Sequence, residues 1–231
     1  MKRICVIGNS HIGALIGASH NATAKENFTN KGFILDFYAN AGRGIQLIKV
    51  EDGALIGIRY ASNTINNIYL KIYLKDYDLF LIYCDLHIPN YISRAKKELG
   101  SFSKQVIEET IRDRINALHS IRLFKEIKSA TSAPVYIASK PVKPTAGKIS
   151  KDEYIDGINV ISKIIQPAIY VEPPLSVLNE TFSGNTIFFK DSVNMVGRAL
   201  SKDKHPKHDM DHMNENGGME LLLHFLDKVG K

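Results

Sequence analysis

Short, nearly continuous apolar runs recur along the chain, and they predict strands. The runs are rich in β-branched residues and apolar on both faces, which is typical of strands buried within a parallel sheet. Two further runs, 45–50 and 54–60, flank Glu51-Asp52-Gly53, and the Asp-Gly pair predicts a hairpin turn between them. A last strand is predicted at 185–190. The predicted buried strands are 2–8, 32–39, 78–86 and 133–139.

Segments with helical character separate these strands. They span 11–25, 101–129 with a break near Leu118 to Ser120, 151–165 with an acidic first turn, and 214–229. Alternation of strands and helices indicates a parallel sheet covered on both sides, an α/β sandwich. We expect one domain over 1–231, with 140–150 as a surface loop, because no repeat or linker interrupts the pattern.

Composition supports this interpretation. Apolar residues make up 44% of the 231 residues, enough for a core, and no run approaches the roughly 18 apolar residues that span a membrane. The apolar run behind Lys2 and Arg3 is too short for a signal sequence, so the sequence predicts a cytoplasmic protein. Cys5 and Cys84 lie inside apolar runs and are expected to be buried free thiols, since two cysteines build no disulfide framework.

The net charge of +6 is a modest excess that does not indicate a nucleic-acid or membrane partner. The lysines are spread along the chain, and the densest run, 201–209, also contains acids. A basic stripe interleaved with aromatics, a zinc-finger spacing and a Walker-type loop are all missing from the sequence. We interpret the lysines as a solvated surface.

Ser10 stands at the boundary between the first strand and the first helix. In an open parallel sheet, sites form at the carboxyl ends of the strands, and the unpaired N–H groups of a helix start can hold an anion. A serine here could present its hydroxyl to a substrate while its own N–H holds an oxyanion. The alternative interpretation is that Ser10 only caps the helix.

Asp209 and His212, close to the C-terminus, are the residue types that would activate such a serine. Their i, i+3 spacing lets the carboxylate hold one imidazole nitrogen while the other faces a serine as general base. An Asp-x-x-His alone is common. Together with a serine after the first strand of an α/β chain, it is more specific.

"GNSH" after the first strand and "DMDHMNENGG" near the C-terminus resemble motifs of the SGNH (GDSL-like) hydrolase family. The resemblance implies a three-layer α/β/α sandwich of flavodoxin-like character with a mostly parallel central sheet. It implies Ser10 as nucleophile, His212 as base and Asp209 as the acid that orients it. "NAGRG" looks like the second block of the family, which points to the Gly42 N–H as an oxyanion donor beside that of Ser10.

The third block of the family departs from this resemblance. The family carries a Gly-x-Asn-Asp-like segment after the middle strand, and its asparagine donates to the oxyanion. This chain has "YCDLH" there, with Asp85 nearest to the asparagine position. An ionised aspartate only accepts hydrogen bonds. The oxyanion hole is therefore expected to rest on the Ser10 and Gly42 N–H groups, or on a donor that the sequence does not identify.

Other residues near these motifs are weaker candidates for the functional site. His11 is a candidate pocket residue, Arg43 between two glycines could bind an anionic group of a substrate, and His87 could reach the site from the end of its strand. His11 could equally be a simple residue of the helix N-terminus, and a surface position without function is the favoured interpretation of Arg43 and His87. A histidine and carboxylate cluster offers metal-ligating types, but no second cluster supports it, and we expect no metal. The cluster comprises His205, His208, Asp209, Asp211 and His212.

The sequence therefore predicts a serine esterase that needs no metal or organic cofactor. Its substrate would be a small-molecule or carbohydrate ester, with an O-acetyl group on a carbohydrate as an expectation from the resemblance. Two alternatives remain open at this point. One is an acyltransferase with the same triad that modifies a polysaccharide. The other is a non-catalytic domain that binds carbohydrate or acyl groups. The sequence does not indicate an oligomeric state.

Overall fold

A computed structural model describes residues 1–40, 42–61, 70–84, 87–145, 147–192 and 211–230. The strands are β1 (Lys2–Gly8), β2 (Phe33–Ala39), β3 (Lys49–Glu51), β4 (Ala54–Ile58), β5 (Tyr60–Ala61), β6 (Leu70–Tyr73), β7 (Leu79–Cys84), β8 (Val135–Ser139) and β9 (Ile169–Val171). The helices are α1 (Gly13–His20), α2 (Ala22–Asn30), α3 (Ile88–Glu98), α4 (Lys104–Asn116), α5 (His119–Ala130), α6 (Lys151–Ile164) and α7 (Glu215–Val229).

The main sheet has six strands in the order β5-β2-β1-β7-β8-β9. All neighbours pair in parallel except β5, which runs antiparallel to β2 along the edge. This order of the five parallel strands is that of the flavodoxin-like doubly wound sheet. The predicted α/β class with a mostly parallel central sheet is confirmed.

Both faces of the sheet are covered, which explains the continuous apolar runs. Along β1, Ile4 and Val6 point into one core, and Cys5 and Ile7 point into the other. The first core is completed mainly by α1 and α7, and the second mainly by α3, α4 and α5. The molecule is therefore a three-layer α/β/α sandwich.

A second, smaller sheet lies in the order β3-β4-β6. Its β3-β4 hairpin turns at Asp52 and Gly53, which have φ angles of 50° and 69°. Positive φ at both central residues is the geometry that favours Asp-Gly, so the predicted hairpin is confirmed. Both of its strands are shorter than predicted. A 3₁₀ turn at Gly42–Leu47 occupies half of the 45–50 run, and the 54–60 run divides into β4, which ends at Ile58, and β5, which pairs with β2 in the main sheet.

Some sequence predictions need correction. The helix predicted at 11–25 is a 3₁₀ turn at Ser10–Ile12, then α1, then α2. The strand predicted at 185–190 is wrong: Thr186–Phe188 form a 3₁₀ turn, which the Asn185 side chain caps by accepting from the Ile187 N–H. The break predicted in 101–129 is confirmed between α4 and α5.

The segment 140–150 is not simply a surface loop, because Lys140, Pro141 and Val142 are buried. Cys5 is a buried free thiol as predicted, whereas the Cys84 side chain is outside the described part of the chain. Across the described residues, none of the helices is both long enough and apolar enough to cross a membrane.

Candidate active site

Four segments that follow parallel strands meet at the carboxyl edge of the main sheet. Ser10 comes after β1, Asn40 after β2, His87 after β7 and Lys140 after β8. The chain runs outward from β1 in both directions, to β2 on one side and to β7 on the other, so β1 marks the switch point of the sheet. Ligand sites of doubly wound sheets form at this point.

The cap of the first turn is Asn9, not Ser10. The buried Asn9 side chain accepts from the His11 N–H at 3.1 Å and satisfies the start of the 3₁₀ turn. This turn is tight because β1 ends against β7: a Cβ on Gly8 would lie 2.5 Å from the Tyr83 carbonyl oxygen. The capping interpretation of Ser10 is therefore wrong, and its hydroxyl is available for another contact.

That contact is with His212. The Ser10 Oγ lies 3.3 Å from the His212 Nε2, although the two residues are 202 positions apart in the chain. Both side chains are half-buried, so a small molecule can reach them. A neutral imidazole with its lone pair on Nε2 accepts the serine O–H in this geometry. The two residues have the arrangement of a nucleophile beside its general base.

The packing of α7 against α1 brings these two residues together. Ser10 lies three residues before α1, and His212 lies three residues before α7, next to the buried Met213. Asn214 caps α7 by accepting from the Gly217 N–H at 3.0 Å, and its own side chain N–H groups donate to the carbonyls of Ile187 and Lys190. The start of α7, and with it His212, is thus anchored on two sides.

His11 and Lys140 extend the site. The His11 and His212 rings are stacked, with centroids 4.6 Å apart and an angle of 28° between their planes. The Lys140 Nζ lies 3.0 Å from the His11 Nε2 and donates to the Asp211 carbonyl at 3.1 Å. The structure thus places His11 beside Ser10 and His212, as the sequence proposed for a pocket residue.

His87 borders the site through Lys140. Its Nδ1–H donates to the Lys140 carbonyl at 3.1 Å. Burial, and after it the nearby Lys140 cation, lower the pKa of His87 to about 4. His87 is therefore neutral at neutral pH.

The segment that carries Gly42 is held close to this edge by Asn40. The Asn40 main-chain N–H donates to the Gly8 carbonyl at 3.2 Å. Its buried side chain donates to the Gly57 carbonyl at 2.8 Å and accepts from the Arg59 N–H at 2.7 Å. Asn40 thereby joins the end of β1 to the small sheet, and the 3₁₀ turn that Gly42 opens follows directly. The Arg43 side chain is outside the described part of the chain.

Several predicted site residues lie outside the described residues: Asp85, His205, His208 and Asp209. Of the remaining cluster, the Asp211 carboxylate is exposed and lies 3.7 Å from the Lys143 Nζ. The described residues contain no group of three side chains that could hold a metal ion.

Lys140 is the site residue that the sequence prediction missed. It is only 6% exposed, which is unusual for a lysine. One signal could have found it: Lys140 directly follows the buried run that forms β8, just as Ser10 follows β1 by two residues. Polar residues at this position of a parallel strand line the carboxyl edge of the sheet.

No family model matches the chain, and no curated protein sequence does. Among solved structures, the chain is similar to a family two carbohydrate esterase from Clostridium thermocellum, with 11% identity and a TM-score of 0.44 over 99% of this chain. It spans 63% of the length of that esterase chain. It is also similar to the lipase Lip_vut3 from a goat rumen metagenome, with 10% identity and a TM-score of 0.42 over 100% of this chain and 97% of the lipase.

A third similar structure is a DUF4886 family protein from Bacteroides uniformis, with 13% identity and a TM-score of 0.36 over 98% of this chain and 82% of the other. An esterase and a lipase are thus among the solved structures to which this chain is similar. The order of the strands and the two helix layers carry the fold assignment.

Proposed function

We propose that the protein is a serine ester hydrolase in which Ser10 is the nucleophile and His212 the general base. The observation that carries the proposal is the 3.3 Å distance between the Ser10 Oγ and the His212 Nε2. It is slightly longer than an optimal hydrogen bond, and such contacts commonly shorten when substrate binds. The position at the switch point of the sheet and the partial exposure of both residues add support.

The reaction proceeds in two halves. Ser10 Oγ attacks the ester carbonyl while its proton passes to the His212 Nε2, and a tetrahedral oxyanion forms. The C–O bond to the alcohol then breaks, and the alcohol leaves with the proton from His212. Water attacks the resulting acyl-Ser10 in the same way, with His212 as base, and releases the carboxylic acid and the free serine.

Two further roles come from the sequence motifs and form part of the proposal. The Ser10 and Gly42 N–H groups stabilise the oxyanion, since both belong to segments that begin at the carboxyl edge of the sheet. Asp209 accepts from the other ring nitrogen of His212 and keeps the tautomer that leaves Nε2 unprotonated. The substrate class proposed first is an acyl ester of a carbohydrate, with an acetyl group as the acyl part.

Hydrolysis of p-nitrophenyl acetate and of an acetylated oligosaccharide tests the proposal. Ser10→Ala and His212→Ala should each remove nearly all turnover, because each removes half of the nucleophile–base pair. Ser19→Ala is the matched control: Ser19 is half-buried on α1, and its hydroxyl donates only to the Ile16 carbonyl. It should keep wild-type turnover. Unchanged turnover in a folded Ser10→Ala protein would exclude the serine mechanism.

A further inference from the structure

Lys140 is a buried cation that the proposed reaction steps do not use. Its side chain is almost fully enclosed at the end of β8, and its ammonium group faces the start of the segment that carries His212. Burying an ammonium group is costly unless hydrogen-bond acceptors replace its water. Among the described residues, the contacts of this ammonium group include the His11 ring and the Asp211 carbonyl, both of which belong to the candidate active site.

The Lys140 ammonium group lies over the face of the His11 ring. Its Nζ is 3.0 Å from the His11 Nε2 and 3.4 Å from the Nδ1. Such similar distances to both nitrogens place the ammonium group above the ring rather than along the in-plane lone pair of either nitrogen. Lys140 therefore packs against the ring and limits the positions that His11 can take.

The His11 ring in turn supports His212. With centroids 4.6 Å apart and nearly parallel planes, the face of His11 restricts the tilt of the His212 ring. The second contact of Lys140 acts on the main chain, because the Asp211 carbonyl directly precedes His212. Lys140 therefore holds both the ring that lies against His212 and the peptide from which His212 extends.

We propose that Lys140 is a positioning residue that orients the His212 imidazole toward Ser10, through His11 and through the Asp211 carbonyl. This inference rests on the proposed function of Ser10 and His212.

Other charged and titratable groups surround this contact. His87 donates to the Lys140 carbonyl, and burial keeps it neutral at neutral pH. Lys143 lies in the same loop, where its Nζ is 3.7 Å from the Asp211 carboxylate. Lys143 is half exposed, and its ammonium group pairs with the Asp211 carboxylate rather than with the Asp211 carbonyl. It is a suitable control for the loss of one positive charge in this loop.

The first test compares Lys140→Met with Lys143→Met. Lys140→Met should lower kcat about 10- to 100-fold with KM within about twofold of wild type, because misorientation of the base affects the chemical step. Lys143→Met should retain kcat within about twofold. A folded Lys140→Met protein with unchanged kcat, or with the whole effect in KM, contradicts the proposal.

The second test covers the case in which Lys140→Met does not fold. His11→Gln removes the stacked ring but keeps a side-chain acceptor for Lys140. It should lower kcat in the same direction and leave KM nearly unchanged. Where both single variants fold, the kcat of the double variant should fall by less than the product of the two separate fold-decreases. Both changes break the same chain of contacts, so their effects are not independent. If the two fold-decreases in kcat multiply in the double variant, or if kcat is unchanged in His11→Gln, the role of His11 is overturned.

An NMR measurement separates this inference from the proposed function. The ¹⁵N and ¹H signals of the imidazoles report ring protonation and orientation without any substrate. Lys140→Met should shift the ring signals of both His11 and His212 from their wild-type positions. Unchanged His212 signals overturn the positioning role even in an active enzyme. Shifted signals in a protein without Ser10-dependent turnover support the positioning role and reject the esterase proposal.

Discussion

A Cβ atom on Gly218 would lie 2.0 Å from the carbonyl oxygen of Ala14. This close approach of α7 to the backbone of α1 is possible only without a side chain at position 218. Because Ser10 precedes α1 and His212 precedes α7, the separation of the two helices sets the distance between nucleophile and base. The geometry of the candidate active site thus depends on a glycine that lies outside it.

We expect Gly218→Ala to separate the two helices and to slow catalysis. Overpacking should cost about 1–3 kcal/mol, partly offset by the roughly 1 kcal/mol that alanine gains over glycine inside a helix. A displacement of His212 by about 1 Å should lower kcat about 100-fold. Ester hydrolysis below the melting temperature measures the kinetic effect, and chemical denaturation measures the stability.

Gly217→Ala is the matched control for this prediction. It makes the same helix-favouring change one residue earlier, but its Cβ first meets the terminal methyl of Met213, which can rotate away. This variant should retain most of the wild-type kcat. Equal kcat losses in the two variants would show that the spacing of α1 and α7 does not control the site.

The cap of the first turn gives a prediction about stability. Asn9→Ala should destabilise the protein by about 0.5–2 kcal/mol, because it removes the acceptor for the His11 N–H. Ser10→Ala should change the free energy of unfolding by less than about 0.5 kcal/mol, because Ser10 caps nothing. Urea denaturation of both variants checks this. A larger cost for Ser10→Ala than for Asn9→Ala would assign the cap to the serine.

The neutral state of His87 predicts a pH-dependent loss of stability. In the unfolded chain a histidine takes up a proton near pH 6.5, whereas burial first, and then Lys140, hold the pKa of His87 in the folded protein at about 4. As pH falls from about 6.5 to about 4, only the unfolded state gains this proton. The free energy of unfolding should therefore fall over this window, by up to about 3 kcal/mol.

His87→Gln should reduce that loss. Glutamine does not titrate, and its side-chain N–H can still donate to the Lys140 carbonyl. Melting temperatures measured across this pH window compare the two proteins, and His20→Gln, which removes an exposed histidine of α1, is the control. A wild-type and a His87→Gln protein that lose stability in parallel would show that His87 titrates normally in the folded state.

Sequence patterns predicted four of the described parallel strands, β1, β2, β7 and β8, because each stands out as an apolar run. The edge strand β9 was not predicted, since its three residues are too few to form such a run. The first strand, its serine and the Asp-Gly hairpin were all correctly located. The strand predicted at 185–190 was wrong because its apolar residues belong to a 3₁₀ turn. The Asn185 side chain caps that turn by accepting from the Ile187 N–H. A hydrogen bond of this kind leaves no periodic signal.

Lys140 was missed for the same reason: contacts between residues far apart in the chain leave no periodic pattern in the sequence. A lysine in a loop rich in lysine and proline is indistinguishable by pattern from an exposed one. Its burial results from the convergence of β8, the first turn and the segment before α7, which are far apart in sequence. The sequence also did not predict α3, because a proline lies in its first turn and the helix begins only four positions after the last residue of β7.

Two aspartates that lie close to His212 in the sequence offer a paired test of which acid orients the His212 ring. Asp209→Asn should lower turnover by up to about four orders of magnitude, because an amide no longer fixes the tautomer of the base. Asp211→Asn changes an exposed carboxylate that pairs with Lys143, and it should retain turnover within about twofold. Steady-state kinetics on both variants decide the matter. The opposite ranking would transfer the orienting role to Asp211.

Covalent labelling with a fluorophosphonate tests the central claim most directly. The reagent forms a bond to an activated serine oxygen and releases fluoride, and peptide mass spectrometry locates the adduct. The expected result is a single adduct on Ser10, absent from Ser10→Ala, formed much more slowly in His212→Ala and at the wild-type rate in Ser19→Ala. An unlabelled Ser10 in a protein that hydrolyses esters, or an adduct that forms equally fast without His212, would contradict the assignment of Ser10 and His212 as nucleophile and base.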